Sequence, residues 1–141
     1  MTKFYSKIEP KTLLHIVVRL EDIKNQKTRQ DVIPEDNFIQ CSTLNMSEGT
    51  TFKPHKHIHK SRTHEQQIAQ ESWVVIKGSV RVIFYDIDDT ILEKVILNEG
   101  DASYTLLGGH NYEILEDDTL VYEYKTGPYE GQALDKTFLN G

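Results

Sequence analysis

From Glu71 to Lys125 the chain is a succession of short runs rich in β-branched and aromatic residues, ESWVVIK, SVRVIFYD, ILEKVIL, ASYTL, NYEIL and TLVYEYK, each broken off at Gly, Asn, Asp or Glu. Runs of this length, several of them alternating and none holding a 3.6-residue period, fit strands and exclude long amphipathic helices. The same reading predicts strands over Leu13–Leu20, Phe38–Met46 and Phe52–His59, which makes nine short strands in 141 residues. The predicted fold class is therefore all-β, a single domain built as a double-sheet sandwich or a barrel. Lys77-Gly78, Asn98-Glu99-Gly100-Asp101 and Gly108-Gly109 supply the residues that chain reversal needs, and Asp86 to Asp89 and Glu116 to Asp118 read as solvated turns.

Two stretches break this rhythm. Glu21 to Glu35 is polar, and Lys60 to Gln70, KSRTHEQQIAQ, has neither alternation nor an apolar stripe, so both are expected to be loops. The second makes residues 58–70 an insertion between the strand ending at His59 and the strand starting at Glu71, placed over one mouth of the fold. The expected domain spans residues 1–141, with its core at about 38–126, an N-terminal strand at 13–20 and a tail at 127–141. That tail either packs along the outside or reaches a partner subunit.

Charge narrows the partners. With 16 basic against 22 acidic residues the formal charge is −6, and no Lys/Arg block follows a phosphate backbone, so nucleic acid is not expected. No apolar run approaches the roughly 20 residues that span a bilayer, and none has signal-peptide form. The expectation is a cytoplasmic protein in which the single cysteine, Cys41, stays a thiol.

Four of the six histidines, His55, His57, His59 and His64, fall within ten residues. On a strand, residues two apart share a face, so His55 and His57 would project side by side, which suits a first-row transition metal if further ligands come from other strands. Glu71 and His110 stand at strand starts that could supply them. Trp73 has the same alternation parity as Glu71, and Tyr112 the same as His110, so both are expected to face the interior. His15, within LLHIVV, reads as a satisfied structural residue.

The spacing carries a resemblance. Gly49, five residues, His55-Lys56-His57, Glu71, six residues and Gly78 resembles the first signature of the cupins, and Gly100-Asp101 with Gly108-Gly109-His110 is similar to the second. Thirteen residues separate His57 from Glu71 where the family has three or four, and Leu106 stands where a proline is common. The resemblance implies a small jelly-roll domain in which His55, His57, Glu71 and His110 hold one divalent ion, Fe, Mn, Ni or Zn. It also implies homodimers. The run QESWVVIKGSVRVIFYDIDD with GGHNYEILEDDTLVYEYKTGPYEG looks like small cupins of polysaccharide and nucleotide-sugar biosynthesis, among them dTDP-sugar ketoisomerases and epimerases. The implied function is isomerase- or epimerase-type proton transfer next to a carbonyl of a sugar or sugar nucleotide. His64 or Tyr112 would then move the proton. Three other readings stand beside it: metal-free catalysis with histidine as base, a noncatalytic sugar-binding cupin, and a dioxygenase.

Overall fold

The computed structural model describes residues 1–58, 68–128 and 130–139. Ten strands and two short helices follow in chain order: β1 (Thr2–Tyr5), β2 (Leu13–Val18), α1 (Leu20–Asn25), β3 (Arg29–Asp31), β4 (Ser42–Leu44), β5 (Glu71–Lys77), β6 (Ser79–Tyr85), β7 (Ile91–Asn98), β8 (Ala102–Thr105), β9 (Gly109–Ile114), β10 (Leu120–Lys125) and α2 (Gln132–Asp135). All pairings are antiparallel. A five-stranded sheet runs β1-β2-β8-β5-β10, a three-stranded sheet runs β7-β6-β9, and β3 pairs with β4 alone. The arrangement is all-β and sandwich-like, and among the described residues the sheets do not close into a barrel.

Alternation along the strands decides which side chains meet. Val17, Val75, Val80, Val82, Phe84 and Leu97 fill the space between the two larger sheets. On the opposite face of the five-stranded sheet, Ile16, Val18, Ala102 and Tyr104 pack against Val32 and Ile33, with Ile23, Ile39 and Cys41 beside them. That sheet is thus covered on both faces, which is why all four residues of β8 and five of the six in β2 are buried. At roughly 25 cal/mol per Å² of apolar surface, each such buried Val, Leu or Ile contributes about 1.5–3 kcal/mol.

The strands from Glu71 onward lie where alternation places them, whereas the N-terminal half departs from the sequence reading. Residues 51–58 form no strand, so His55 and His57 do not project from a sheet face as expected. Of the strand expected over Phe38–Met46, only Ser42–Leu44 pairs. The stretch expected to be a loop, Glu21 to Glu35, contains most of α1 and all of β3. Neither has an apolar period to betray it. α1 is less than two turns long and is held at its start by Asp22, which accepts the Arg19 N–H at 2.8 Å, and by Asp101, which accepts the Leu20 N–H at 3.0 Å. β3 is RQD, fixed across its ladder by the Ser42 hydroxyl donating to Asp31 at 2.6 Å. β1 extends the main sheet beyond the expected N-terminal strand.

Polar side chains tie the sheets together. Asp86, expected in a solvated turn, is only 1% exposed and accepts the Ser6 hydroxyl at 2.6 Å and the Lys7 N–H at 2.7 Å. Burial pushes its pKa up, but these bonds and those from neighbouring amides outweigh it and hold the carboxyl below the usual range. His15 is fully buried, stacked on Phe84 at 4.2 Å between centroids. Its Nε2–H donates to the Tyr85 carbonyl at 3.1 Å, and Nδ1 accepts from the Thr105 hydroxyl at 3.2 Å. It is the satisfied structural histidine that its apolar context suggested.

Burial lowers the His15 pKa from 6.5 to about 4, with the Tyr85 bond opposing and the nearby His110 assisting. The unfolded chain therefore binds the extra proton first, so stability is full above pH 6.5 and declines as pH falls from 6.5 toward 4. The loss over that window is about 3 kcal/mol. Urea unfolding between pH 7 and pH 4 is expected to show this slope, and His15→Gln, though less stable at pH 7, is expected to flatten it.

Candidate functional site

The inner face of the five-stranded sheet changes character along its strands. Val75 and Val121 sit opposite one another in an apolar row; the next row places Val17, Ser103, Trp73 and Glu123 side by side; the last places His15, Thr105, Glu71 and Lys125. Across the gap, β9 sets Tyr112 beside Val82 and His110 beside Phe84. The sandwich is dry at one end and polar at the other. At the polar end the sheets part around a cavity of about 900 Å³ whose walls include Glu71, Trp73, His110 and Tyr112.

Glu71 and His110 meet there: His110 Nε2 lies 3.2 Å from Glu71 Oε1 and donates to it. Both side chains are largely buried, at 12% and 21% exposure, yet both line the cavity. Burial raises the Glu71 pKa, but the His110 bond and the charges of His110, Lys136 and Lys125 outweigh it, so the carboxyl titrates below the ordinary glutamate range. His110 Nδ1 is buried and has no hydrogen-bond partner among the described residues.

Aromatic rings form the neighbouring wall. Trp73 and Tyr112 stack face to face, 3.8 Å between centroids and 4° apart in plane, and His110 tilts against Tyr112 at 5.2 Å. Inward parity thus holds for both Trp73 and Tyr112. The indole N–H donates to Glu123 at 3.1 Å, while the Tyr112 hydroxyl lies 3.2 Å from Ser103 Oγ on the facing sheet, where burial pushes its pKa well up. This position ties the phenol to β8 and leaves the ring, rather than the hydroxyl, as what backs His110.

The chain arriving from the C-terminal side completes the cavity. Residues 133–139 line it, and Leu139 sits against Gly109. Lys125 fixes this segment through an ion pair to Asp135 at 3.5 Å while also reaching Glu123 at 3.5 Å. The tail left open in the sequence reading is thus a wall of the candidate site. Glu123, Lys136 and the segment itself were missed because nothing local marks a residue whose role comes from a distant strand. The cavity carries more acid than base, with Glu71, Asp89, Glu123 and Asp135 in its lining against Lys136.

Of the four expected metal ligands, Glu71 and His110 come together and His55 and His57 stay apart from them. His55 and His57 are exposed, pack edge to face on each other at 5.5 Å, and form no group of three or more potential ligands with any described residue. Two donors joined by a hydrogen bond are fewer than the three or four ligands a first-row ion takes, so Glu71 and His110 would hold one only with further ligands. His64 and His59 lie outside the described residues. No family model, no curated protein and no solved structure matches the chain.

Gly108 sets the approach of β9 to this site. Its φ is +79°, and an added Cβ would lie 2.6 Å from the Tyr85 carbonyl oxygen, the atom that accepts from His15. Gly108→Ala is expected to cost about 2 kcal/mol or more through backbone strain, read as a lower urea midpoint, and to disturb the His110 ring resonances in NMR spectra.

Proposed function

We propose that this chain is a cupin-like enzyme that moves a proton next to the carbonyl of a small carbohydrate-derived substrate, in the manner of an isomerase or epimerase. The observation that carries the reading is the Glu71–His110 pair at the polar end of an aromatic-walled cavity. An ionised carboxylate and an imidazole in hydrogen-bond contact are a base and a proton donor already oriented toward each other.

In this reading Glu71 takes the proton from the carbon beside the carbonyl; the electron pair of that C–H bond forms the C=C bond while the π pair of the carbonyl moves to its oxygen. His110 Nε2–H, released from Glu71 as the substrate enters, donates to that oxygen and stabilises the enediol. His110 then takes the hydroxyl proton from the oxygen that becomes the new carbonyl, and returning the carbon-bound proton to the other carbon, or to the other face of the same carbon, completes isomerisation or epimerisation. The stacked Trp73 and Tyr112 rings give the cavity an aromatic wall against which the apolar part of a sugar can pack. The acidic lining favours an uncharged sugar over a diphosphate-bearing nucleotide, because like charges in a low-dielectric cleft repel. A metal centre is the second reading, and the meeting of Glu71 with His110 at the spacing of the cupin signature favours it. It would require His55 and His57 to join them.

Incubation with neutral aldoses and ketoses in D₂O tests the proposal by deuterium incorporation at the carbon next to the carbonyl. Exchange by the unaltered protein, reduced at least about 100-fold in Glu71→Gln and in His110→Asn, is expected. Exchange that survives both substitutions, or sugar binding with no exchange, would overturn it. Activity abolished by chelation and restored by one added metal would move the assignment to the metal centre.

A further inference from the structure

The five-stranded sheet has a second cavity, on the face opposite Glu71 and His110, and it is built differently. Across this face Tyr104 of β8, Ser72 of β5 and Tyr124 of β10 stand in one cross-strand row, Ser72 paired with Tyr104 on one side and with Tyr124 on the other. A two-atom side chain between two phenol rings leaves a notch. The segment from Phe38 to Ser42 borders it, and the resulting cleft, open to solvent, amounts to about 730 Å³, with Ile39 and Val74 among its apolar walls.

Polar atoms sit at the floor of this notch. Ser72 is 2% exposed; among the described residues its hydroxyl has no partner at full hydrogen-bond geometry, and its one polar contact, with the Tyr104 phenol, lowers that phenol's pKa. Tyr104 is also buried, and its hydroxyl is 2.9 Å from Cys41 Sγ. Burial first, and the Cys41 contact second, push the Tyr104 pKa up, so the phenol stays neutral. A buried hydroxyl that lacks a well-placed partner costs about 1–3 kcal/mol, and Ser72 borders the cavity.

We infer that this notch is a second binding site, taking a small apolar molecule that carries a single hydroxyl or carbonyl group. The apolar body lies along Val74, Ile39 and Tyr124, and the polar group pairs with Ser72 Oγ. The neutral floor and the absence of an acid at it separate this site from the acidic cavity on the other face. The inference does not depend on the proton-transfer reading, because none of Glu71, His110, Trp73 and Tyr112 lines the notch.

Two matched probes test it, p-cresol and toluene, which differ only in the hydroxyl. Cys41, the single cysteine of the chain, lines the notch, so occupancy is expected to slow its alkylation by iodoacetamide. Half-maximal protection by p-cresol is expected at a concentration about fivefold below that of toluene, the factor one net hydrogen bond supplies. Ser72→Ala is expected to bring the two probes within twofold. Equal protection by both probes in the unaltered protein, or no protection by either, would overturn the inference, as would a fivefold preference that persists in Ser72→Ala. A second measurement needs no variant: nuclear Overhauser contacts from p-cresol to the Val74 methyls and the Tyr104 ring are expected. Contacts confined to Trp73 and Tyr112 would place the probe in the other cavity and overturn the inference.

Discussion

Double burial of β2, β8 and β5 is the constraint on which the remaining structure depends. A sheet with one wet face can leave polar side chains to solvent, but here both faces of the central strands are packed. Every polar side chain on them must find a partner or border a cavity. Thr105 meets His15, Ser103 meets Tyr112 and Glu71 meets His110. The polar pairs gather at one end because Val75 and Val121 occupy the other with groups that ask nothing of their neighbours. The cavity between the sheets is the place where apolar volume gives out before the strands do.

That gradient was legible in the sequence only where period carries information. From Glu71 to Lys125 the alternation gives strand identity, and through it the inward parity of Glu71, Trp73, His110 and Tyr112. The segments before residue 71 are another matter. Phe52 to His59 has the composition of a strand, yet FKPHKHIH contains a proline, which cannot donate to a ladder, and five basic or titratable side chains, and residues 52–58 pair with no strand. Arg29–Asp31 pairs without any apolar residue, because its stability comes from ladder bonds and an Asp31–Ser42 contact that a hydropathy pattern does not record. Asp86 looked like a solvated turn because its partners, Ser6 and Lys7, stand about 80 residues away.

Motif glycines and acids also prove to have architectural work apart from any ligand. Gly100 holds φ at +83° beneath Leu20, where a Cβ would lie 2.8 Å from that side chain. Asp101 beside it receives the Arg19 guanidinium at 2.7 Å, the Leu20 N–H and the Asn98 N–H. The pair therefore fixes the turn between β7 and β8 and the start of α1 together. Gly100-Asp101, read in the sequence as part of a signature, thus has a geometric role in this fold.

The bonds from Ser6 to Asp86, from His15 to Tyr85 and from Arg19 to Asp101 join residues separated by 80, 70 and 82 positions. Each closes a loop of about half the chain or more before it returns any energy. A domain dominated by such closures has a high contact order, which places its search for the native state in the milliseconds-to-seconds range rather than microseconds. During that search the apolar faces of β2 and β5 stay unmatched, so the same long-range stitching that finishes the sandwich leaves its intermediates prone to self-association.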